Sequence, residues 1–560
     1  MDRIHLHGLL AFALGLVLAA CGESAGESAG ASGDGGGGGL GGCTRDADCP
    51  AGLVCNAEAR CVASDGLPPE EEESRIAARP AASAERLYVI APFADAVTLI
   101  DPETLALESV PVPEEPVDLA VLPGEDAALV LSRSGRAISL LARQGGVVGL
   151  QVAPLARRFG AVALAPDGAW ALLWTPEGML PDAGAEGIVG LVDVDALRAG
   201  LEGPVADFAA GRRHTAVHFR TVADDAVDAV VVGKVEIAVF PLGAEDPAPT
   251  RIALPALFAE IATREVVAAP DGSFLLLRSL AAPELAVFDV EARTLSTLPL
   301  PAPASDLDVT ADGSLAVAVL RTTSQVAWFP LPAALGDPAA VQVATVELPA
   351  IGCEEVPCLA APGQVALAPD GSFAVLFSNA APTESLGIFD PADGSTAIFS
   401  ALEKQVHSVA LSPDGTQALV FHLADPDSTA ADLYERWVDQ SEGYAVVDLE
   451  RGIAQLKLTD SLVPREAVFA TGDRYAGVTL RDDEAKRFGL DAIDLETLVT
   501  EPLQLASAPE FAGPLPASTP EQHHRIWVTQ EHPAGRIGIA RLDERTVRTI
   551  TGFELESEVR

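Results

Sequence analysis

The chain has 560 residues, 81 acidic against 36 basic, and a formal charge of −45. A field of that sign repels phosphate and so excludes nucleic acid and anionic lipid surfaces as partners. With 49% apolar residues a large core is within reach. Lysines are confined to Lys234, Lys404, Lys457 and Lys486, so cationic chemistry falls to arginine.

Residues 1–20 read as an export signal. Met1-Asp2-Arg3 leads into an apolar stretch, Leu9 to Leu18, too short to span a membrane as a helix. Leu18-Ala19-Ala20-Cys21 resembles the bacterial lipobox, against the alternative of an ordinary signal with a chance cysteine. The resemblance implies a diacylglycerol on Cys21 and a membrane held through the lipid anchor only. Gly22 in place of aspartate points to the bacterial outer membrane, with the protein facing the periplasm or the cell surface.

Residues 21–42, rich in Gly, Ser and Glu, form a flexible tether. Residues 43–61 follow with Cys43, Cys49, Cys55 and Cys61, too few residues for an apolar core without staples. Setting Cys21 aside, the seven cysteines leave six, the last two being Cys353 and Cys358. Even counts in an exported chain predict disulfides. Five-residue gaps without histidine fit zinc poorly. Four cysteines allow three pairings, and all three stay open. The segment is similar to small cysteine modules of bacterial surface lipoproteins. Residues 62–84, with Glu70-Glu71-Glu72-Glu73, are expected to be a solvated acidic linker.

From residue 85 to 560 one unit repeats. Ala-Pro-Asp-Gly turns at 165–168, 269–272 and 368–371, Ala-Asp-Gly at 311–313 and Ser-Pro-Asp-Gly at 412–415 each separate alternating apolar runs. Spacings of roughly 40 to 60 residues fit one four-stranded blade per unit. The expectation is an all-β chain, a β-propeller of about 8–10 four-stranded blades, preceded by the disulfide-rich module. Ten second-strand segments are countable. A single large ring, two smaller rings, or about eight blades with merged units all remain open, a single ring being preferred. The array begins on a second strand at Leu87-Tyr88-Val89-Ile90, and the tail 553–560 alternates suitably to supply the missing first strand.

The phrase Val-Ile-Ala-Pro-Phe-Ala-Asp-Ala-Val-Thr-Leu-Ile-Asp-Pro-Glu-Thr-Leu at 89–105, continued by Glu-Glu-Pro-Val-Asp-Leu-Ala-Val at 114–121, resembles the YVTN-type propeller repeat of bacterial surface proteins. Its third strand is echoed at 285–291 and 386–392. The chain departs from that pattern in having only Asn56 and Asn379. The resemblance implies a fold, not an activity.

In such rings the fourth-to-first-strand connections and the second-to-third-strand loops surround one mouth of the channel. Arg157, Arg158, Arg212, Arg213, His214, Arg264, Lys404, His407 and Arg465 all fall in or beside those connections. They form a candidate basic funnel for an anionic ligand. The competing expectation is that each arginine pairs with a nearby carboxylate such as Glu265 or Glu466. Tyr434 and Trp437, in the long loop 423–443, are candidate recognition residues. Asp425, Asp427 and Asp432 suggest calcium only weakly, since the loop lacks an EF-hand pattern. No metal or other cofactor is expected. His214 and His218, four apart on a strand, lie about 13 Å apart by strand rise and cannot share a metal directly. No Cys-x-x-Cys-His occurs and no catalytic residue is assigned. The functional expectation is a lipid-anchored, non-enzymatic binding module whose partner is an envelope protein, an anionic glycan or a small molecule. The alternatives are a lactonase- or lyase-like propeller enzyme and a periplasm-facing assembly scaffold.

Overall fold

The computed structural model describes residues 43–71, 82, 83 and 85–552, apart from 177, 178, 183, 185, 224, 245, 246, 352–356, 516 and 518–521. Cys21, the tether, Cys353, most of the acidic linker and the tail 553–560, with the expectations placed on them, lie outside the described residues.

The Asp-Gly turns are the local reason for the repeat. In each, the glycine N–H returns to the carbonyl three residues back: Gly168 to Ala165, Gly272 to Ala269, Gly313 to Thr310, Gly371 to Ala368 and Gly415 to Ser412. Each glycine sits at φ between 67° and 74°, where a side chain is strained. The aspartate then accepts the N–H two residues on, as Asp167 does from Ala169 at 2.9 Å and Asp271 from Ser273 at 2.9 Å. Asp-Gly therefore ends one strand and starts the next without an orphaned amide.

These turns join the first two strands of a blade. Nine sheets have four strands in sequential antiparallel order, and a tenth has three. The three-stranded blade 1 runs Leu87–Ala91, Ala96–Ile100 and Leu107–Pro111. First strands of blades 2 to 10 are Pro116–Val121, Ala161–Leu164, Ala216–Val222, Arg264–Ala268, Asp306–Val309, Gln364–Leu367, Ser408–Leu411, Val463–Phe469 and Pro509–Pro514. The ring is an all-β, ten-bladed propeller. It is one ring, as expected, at the upper end of the expected count.

Apolar alternation along the strands is buried between blades, in ten seams. Blades 5 and 6 meet through Leu276, Leu285, Leu307 and Phe329. Blades 3 and 4 meet through Leu172, Val189, Val231 and Phe240. The last seam joins Trp527, Ile537 and Ile539 of blade 10 to Leu87 and Ile100 of blade 1. Glu103 of blade 1 reinforces it, taking bonds from Gln522 at 3.0 Å and from Arg525, and lying 3.5 Å from Arg541.

The cysteine module is closed by Cys43–Cys55 and Cys49–Cys61. Cys358 is also disulfide-bonded. The module packs onto blade 5, with Cys43, Leu53 and Cys61 buried against Leu280. A Cβ on Gly52 would stand 2.4 Å from the Leu280 carbonyl, so the approach is backbone to backbone. Residues 65–71 run on across the ring. Glu70, expected to be solvated, is instead buried. It pairs with Arg321 at 2.9 Å and accepts from the Ser378 hydroxyl and the N–H groups of Asn379 and Ala380. The side chain of Asn379 also spans Glu71, donating to its carbonyl and accepting from its N–H. The cause of the difference is tertiary: the partners are about 250 to 310 residues away.

If the ring is closed, truncating Ile537 to alanine in the last seam costs about 2–5 kcal/mol, as does Leu276→Ala in the seam of blades 5 and 6. Denaturant unfolding measures both. A loss below about 0.5 kcal/mol for Ile537→Ala alone would mean an open array.

Candidate functional site

The predicted cations do not act as one bare cluster. Arg157 Nε binds Asp207 at 2.7 Å, in the fourth strand of its own blade. Arg158 lies 3.7 Å from Asp182, which also accepts its backbone N–H. Arg212 stands 3.5 Å from Glu186 and is exposed. Arg213 is exposed at φ 53°, and Arg465 is exposed at the start of blade 9; both are engaged by neighbours. His407 is buried and engaged beside blade 8. Glu265 and Glu466 turn to other work than that expected. Glu265 pairs with Arg278 at 2.6 Å, and Glu466 accepts from the N–H of Ala512 in the next blade.

Lys404 is spent on the helix Leu433–Gln440, donating to the carbonyls of Val438 at 3.0 Å and Asp439 at 2.9 Å. Those carbonyls, which also take the N–H groups of Ser441 and Asp425, belong to the last turn, where a cation adds bonds and favours the dipole. Asp432 caps the other end, accepting from Tyr434 and Glu435 N–H. Asp425 accepts from Asp427 N–H. Two of the three carboxylates considered for calcium are thus used as a cap and a turn. The segment read as a loop is a helix because Asp432 starts it and Lys404 ends it. Tyr434 and Trp437 remain 60% and 49% exposed, their ring centroids 5.9 Å apart.

Three histidines, His214, His218 and His422, are favoured in the neutral form by burial. His214 contacts the Gly211 carbonyl at 2.8 Å through Nε2, and its pKa is lowered by desolvation. Burial pushes His218 and His422 down to about 4. His422 holds the Gln405 carbonyl at 2.7 Å through Nδ1.

The axis of the ring holds a cavity of about 1250 Å³. Its walls are first strands: Leu119 and Val121 of blade 2, Val162 and Leu164 of blade 3, Phe511 of blade 10, with Val89 of blade 1. Blade 1 presents Leu87–Ala91 where other blades present a first strand. Polar groups come from several places on the wall: Glu510, Thr529, Gln530, His532 and Arg536 from blade 10 and its loops, Tyr88 from blade 1, Asp118 from blade 2, and His214 and Thr215 from the entry to blade 4. Burial and the nearby Glu531 raise the Glu510 pKa. Sequence reading missed this cavity, because it depends on how many blades surround the axis.

A second polar group lies on the first strands of blades 5 and 6. Glu265 is hydrogen-bonded to Asp306, and Asp308 lies close enough to repel both. Desolvation raises all three carboxyls, Asp308 to about 6. Three carboxyls around the single Arg278 guanidinium leave excess negative charge, and the group retains a proton above the usual carboxylate range. Asp306 and Asp308 also tie blade 6 to blade 7, accepting from Val365 and Leu367 N–H at 2.8 and 2.9 Å.

No protein family description matches the sequence, and no curated protein matches it. Among solved structures the chain is similar to the dihydro-heme d1 dehydrogenase NirN, at 16% identity and TM-score 0.40, covering 78% of this chain and 77% of that one. It is similar to a eukaryotic initiation factor at 13% identity and TM-score 0.40, covering 73% and 93%. Hydrazine synthase of Kuenenia stuttgartiensis matches at 14% identity and TM-score 0.32, covering 50% and 76%. Similarities at this level carry nothing about activity, and the fold assignment rests on the ring itself.

The carboxyl group makes a signed pH prediction. The folded-state pKa values of its three members lie above the unfolded value of about 4, so the contribution to stability is complete below that value and is lost as pH rises through the folded values, about 6 for Asp308. Glu265→Gln, uncharged at every pH, is expected to gain melting temperature on the wild type between pH 5 and pH 7.5. A difference that stays constant across that range would refute the shared proton.

Proposed function

We propose that the chain is a lipid-anchored protein of the bacterial outer membrane that uses its ring as a non-enzymatic binding module. The observation that carries this reading is the axial cavity of about 1250 Å³, mostly apolar, with a few polar groups set in its wall. Ligand sites have that character: a concave apolar wall supplies burial and a few convergent polar groups fix orientation. The lipobox resemblance at Leu18–Cys21 supports the anchor, and the YVTN-like phrase supports display at the cell envelope. Tyr434 and Trp437, rigid and exposed on a capped helix, suit contact with an envelope protein or glycan.

A second reading, an envelope enzyme, is favoured by one observation. The Glu265, Asp306 and Asp308 carboxyls have raised pKa values, and such groups concentrate at catalytic sites.

Both parts of the binding reading are testable in one strain. Wild-type protein is expected in the outer-membrane fraction and Cys21→Ser in the soluble fraction. Ala163→Trp, which fills the cavity from the blade 3 wall, is expected to abolish co-purification of a stoichiometric ligand without lowering the melting temperature. An unchanged set of co-purifying molecules in Ala163→Trp would overturn the cavity as the binding site. Turnover lost on Glu265→Gln would favour the enzyme.

A further inference from the structure

Where the linker crosses the ring, a separate cavity of about 180 Å³ lies beneath Pro69 and Glu70. No residue lines both this cavity and the axial one. Its walls carry three guanidinium groups, Arg264, Arg278 and Arg321. Two have carboxylate partners. Arg321 holds Asp65 and Glu70, each at 2.9 Å, and Arg278 holds Glu265.

Arg264 differs from both. Its Nη1 donates to the carbonyls of Gly233, Lys234 and Phe258 at 3.1, 3.1 and 2.9 Å, and its Nη2 donates to the Thr215 hydroxyl at 2.9 Å. No carboxylate pairs with it among the described residues, and its pKa is lowered through burial alone. A guanidinium has five N–H donors. Here Nε–H has no acceptor among the described residues, and Nη2 has spent one of its two hydrogens. Two of the five donors are thus left for a ligand, and hydrogen bonds from a guanidinium to an oxyanion are charge-assisted. Carbonyl dipoles hold the cation in place but leave its charge uncompensated, a costly state for a half-buried group.

Thr263 stands beside it in the cavity wall. It is 4% exposed, and its hydroxyl has no partner and is closed to solvent as placed, so it reaches a ligand in the cavity by turning about χ1. Ser305, on the same wall, is already used by the carbonyls of Val319 and Gly363. Glu70 brings a negative charge to the roof, but Arg321, the Ser378 hydroxyl and two backbone N–H groups hold it.

We propose that this cavity is an anion site, in which Arg264 and Thr263 bind one small oxyanion, a phosphate, a sulfate or a short carboxylate, beneath the docked linker. The basic funnel expected from sequence thereby narrows to one of its arginines. Because Pro69 and Glu70 form the roof, an anion bound here also strengthens the hold of residues 65–71 on blades 5 to 7.

The test uses the full chain, titrated calorimetrically with sodium phosphate, sulfate and succinate against chloride at matched ionic strength. At least one of the three is expected to bind at one site per chain and to raise the melting temperature. Thr263→Val, close in shape to the wild type, is expected to weaken that binding about tenfold with an unchanged melting temperature in chloride. Arg264→Gln is expected to abolish it. If none of the three anions binds the wild type, the proposal is overturned. Wild-type affinity in Thr263→Val together with Arg264→Gln would overturn it too. Should Arg264→Gln not fold, Thr263→Val decides alone.

Discussion

A four-stranded blade has two faces, and neither can be hidden within the blade itself. The apolar faces of the blades are therefore buried by their neighbours, and each blade is stable only because the next one is present. The ten seams are the same interaction repeated, Leu, Val, Ile and Phe from the second and third strands of one blade against the first three strands of the next. An uninterrupted circle is the solution in which no face is left over. Trp527 and Ile537 against Leu87 and Ile100 supply the last contact, joining residues more than 400 positions apart.

That constraint places polar groups as strictly as apolar ones. First strands face the axis, where neighbouring blades converge, and their carboxylates reach across to amide groups of the following blade. Asp118 accepts from Val162, Asp306 from Val365, Asp308 from Leu367 and Glu466 from Ala512. The bonds hold the inner rim together. They also bring Asp306 and Asp308 within repulsive range of Glu265, and the three share the charge of Arg278. The rim gains inter-blade bonds at the cost of a group that is least favourable when fully ionised.

How much was legible follows from how local each cause is. The turns were readable because Asp-Gly is needed by four adjacent residues: glycine for φ near 70° and aspartate for the amide two positions on. Strand pattern gave the blades and a count of about 8–10, with ring size left open. The disulfides were readable as such, but not their pairing, since spacing cannot rank three connectivities. Glu70 was not readable at all. Nothing near it in sequence distinguishes it from Glu72 or Glu73, and its burial is decided by Arg321, Ser378 and Asn379. The arginines were grouped by their place in the repeat, without sight of their partners. Asp207, Asp182 and Glu186 belong to other strands and loops of the same blade, and only folding brings them to Arg157, Arg158 and Arg212. The cap at Asp432 was a local signal for the helix Leu433–Gln440, obscured by the acidic residues around it.

Ring size then determines what the axis can hold. Widening a closed β structure by adding strands or blades opens its centre once side chains no longer reach across. Here the first strands that line the cavity carry small residues at Ala120, Ala161 and Ala163, while the larger ones, Leu119, Val162 and Leu164, form walls rather than a plug. Filling such an axis with protein would take bulkier side chains than these strands possess. The same ten seams that bury the apolar faces therefore keep an apolar space open at the centre. Its polar groups are most numerous at blade 10, beside the blade with only three described strands, with Asp118, His214 and Thr215 placed elsewhere on the wall. Specific recognition in a repeat ring requires that kind of departure from symmetry, because ten equivalent walls would offer a ligand no single orientation.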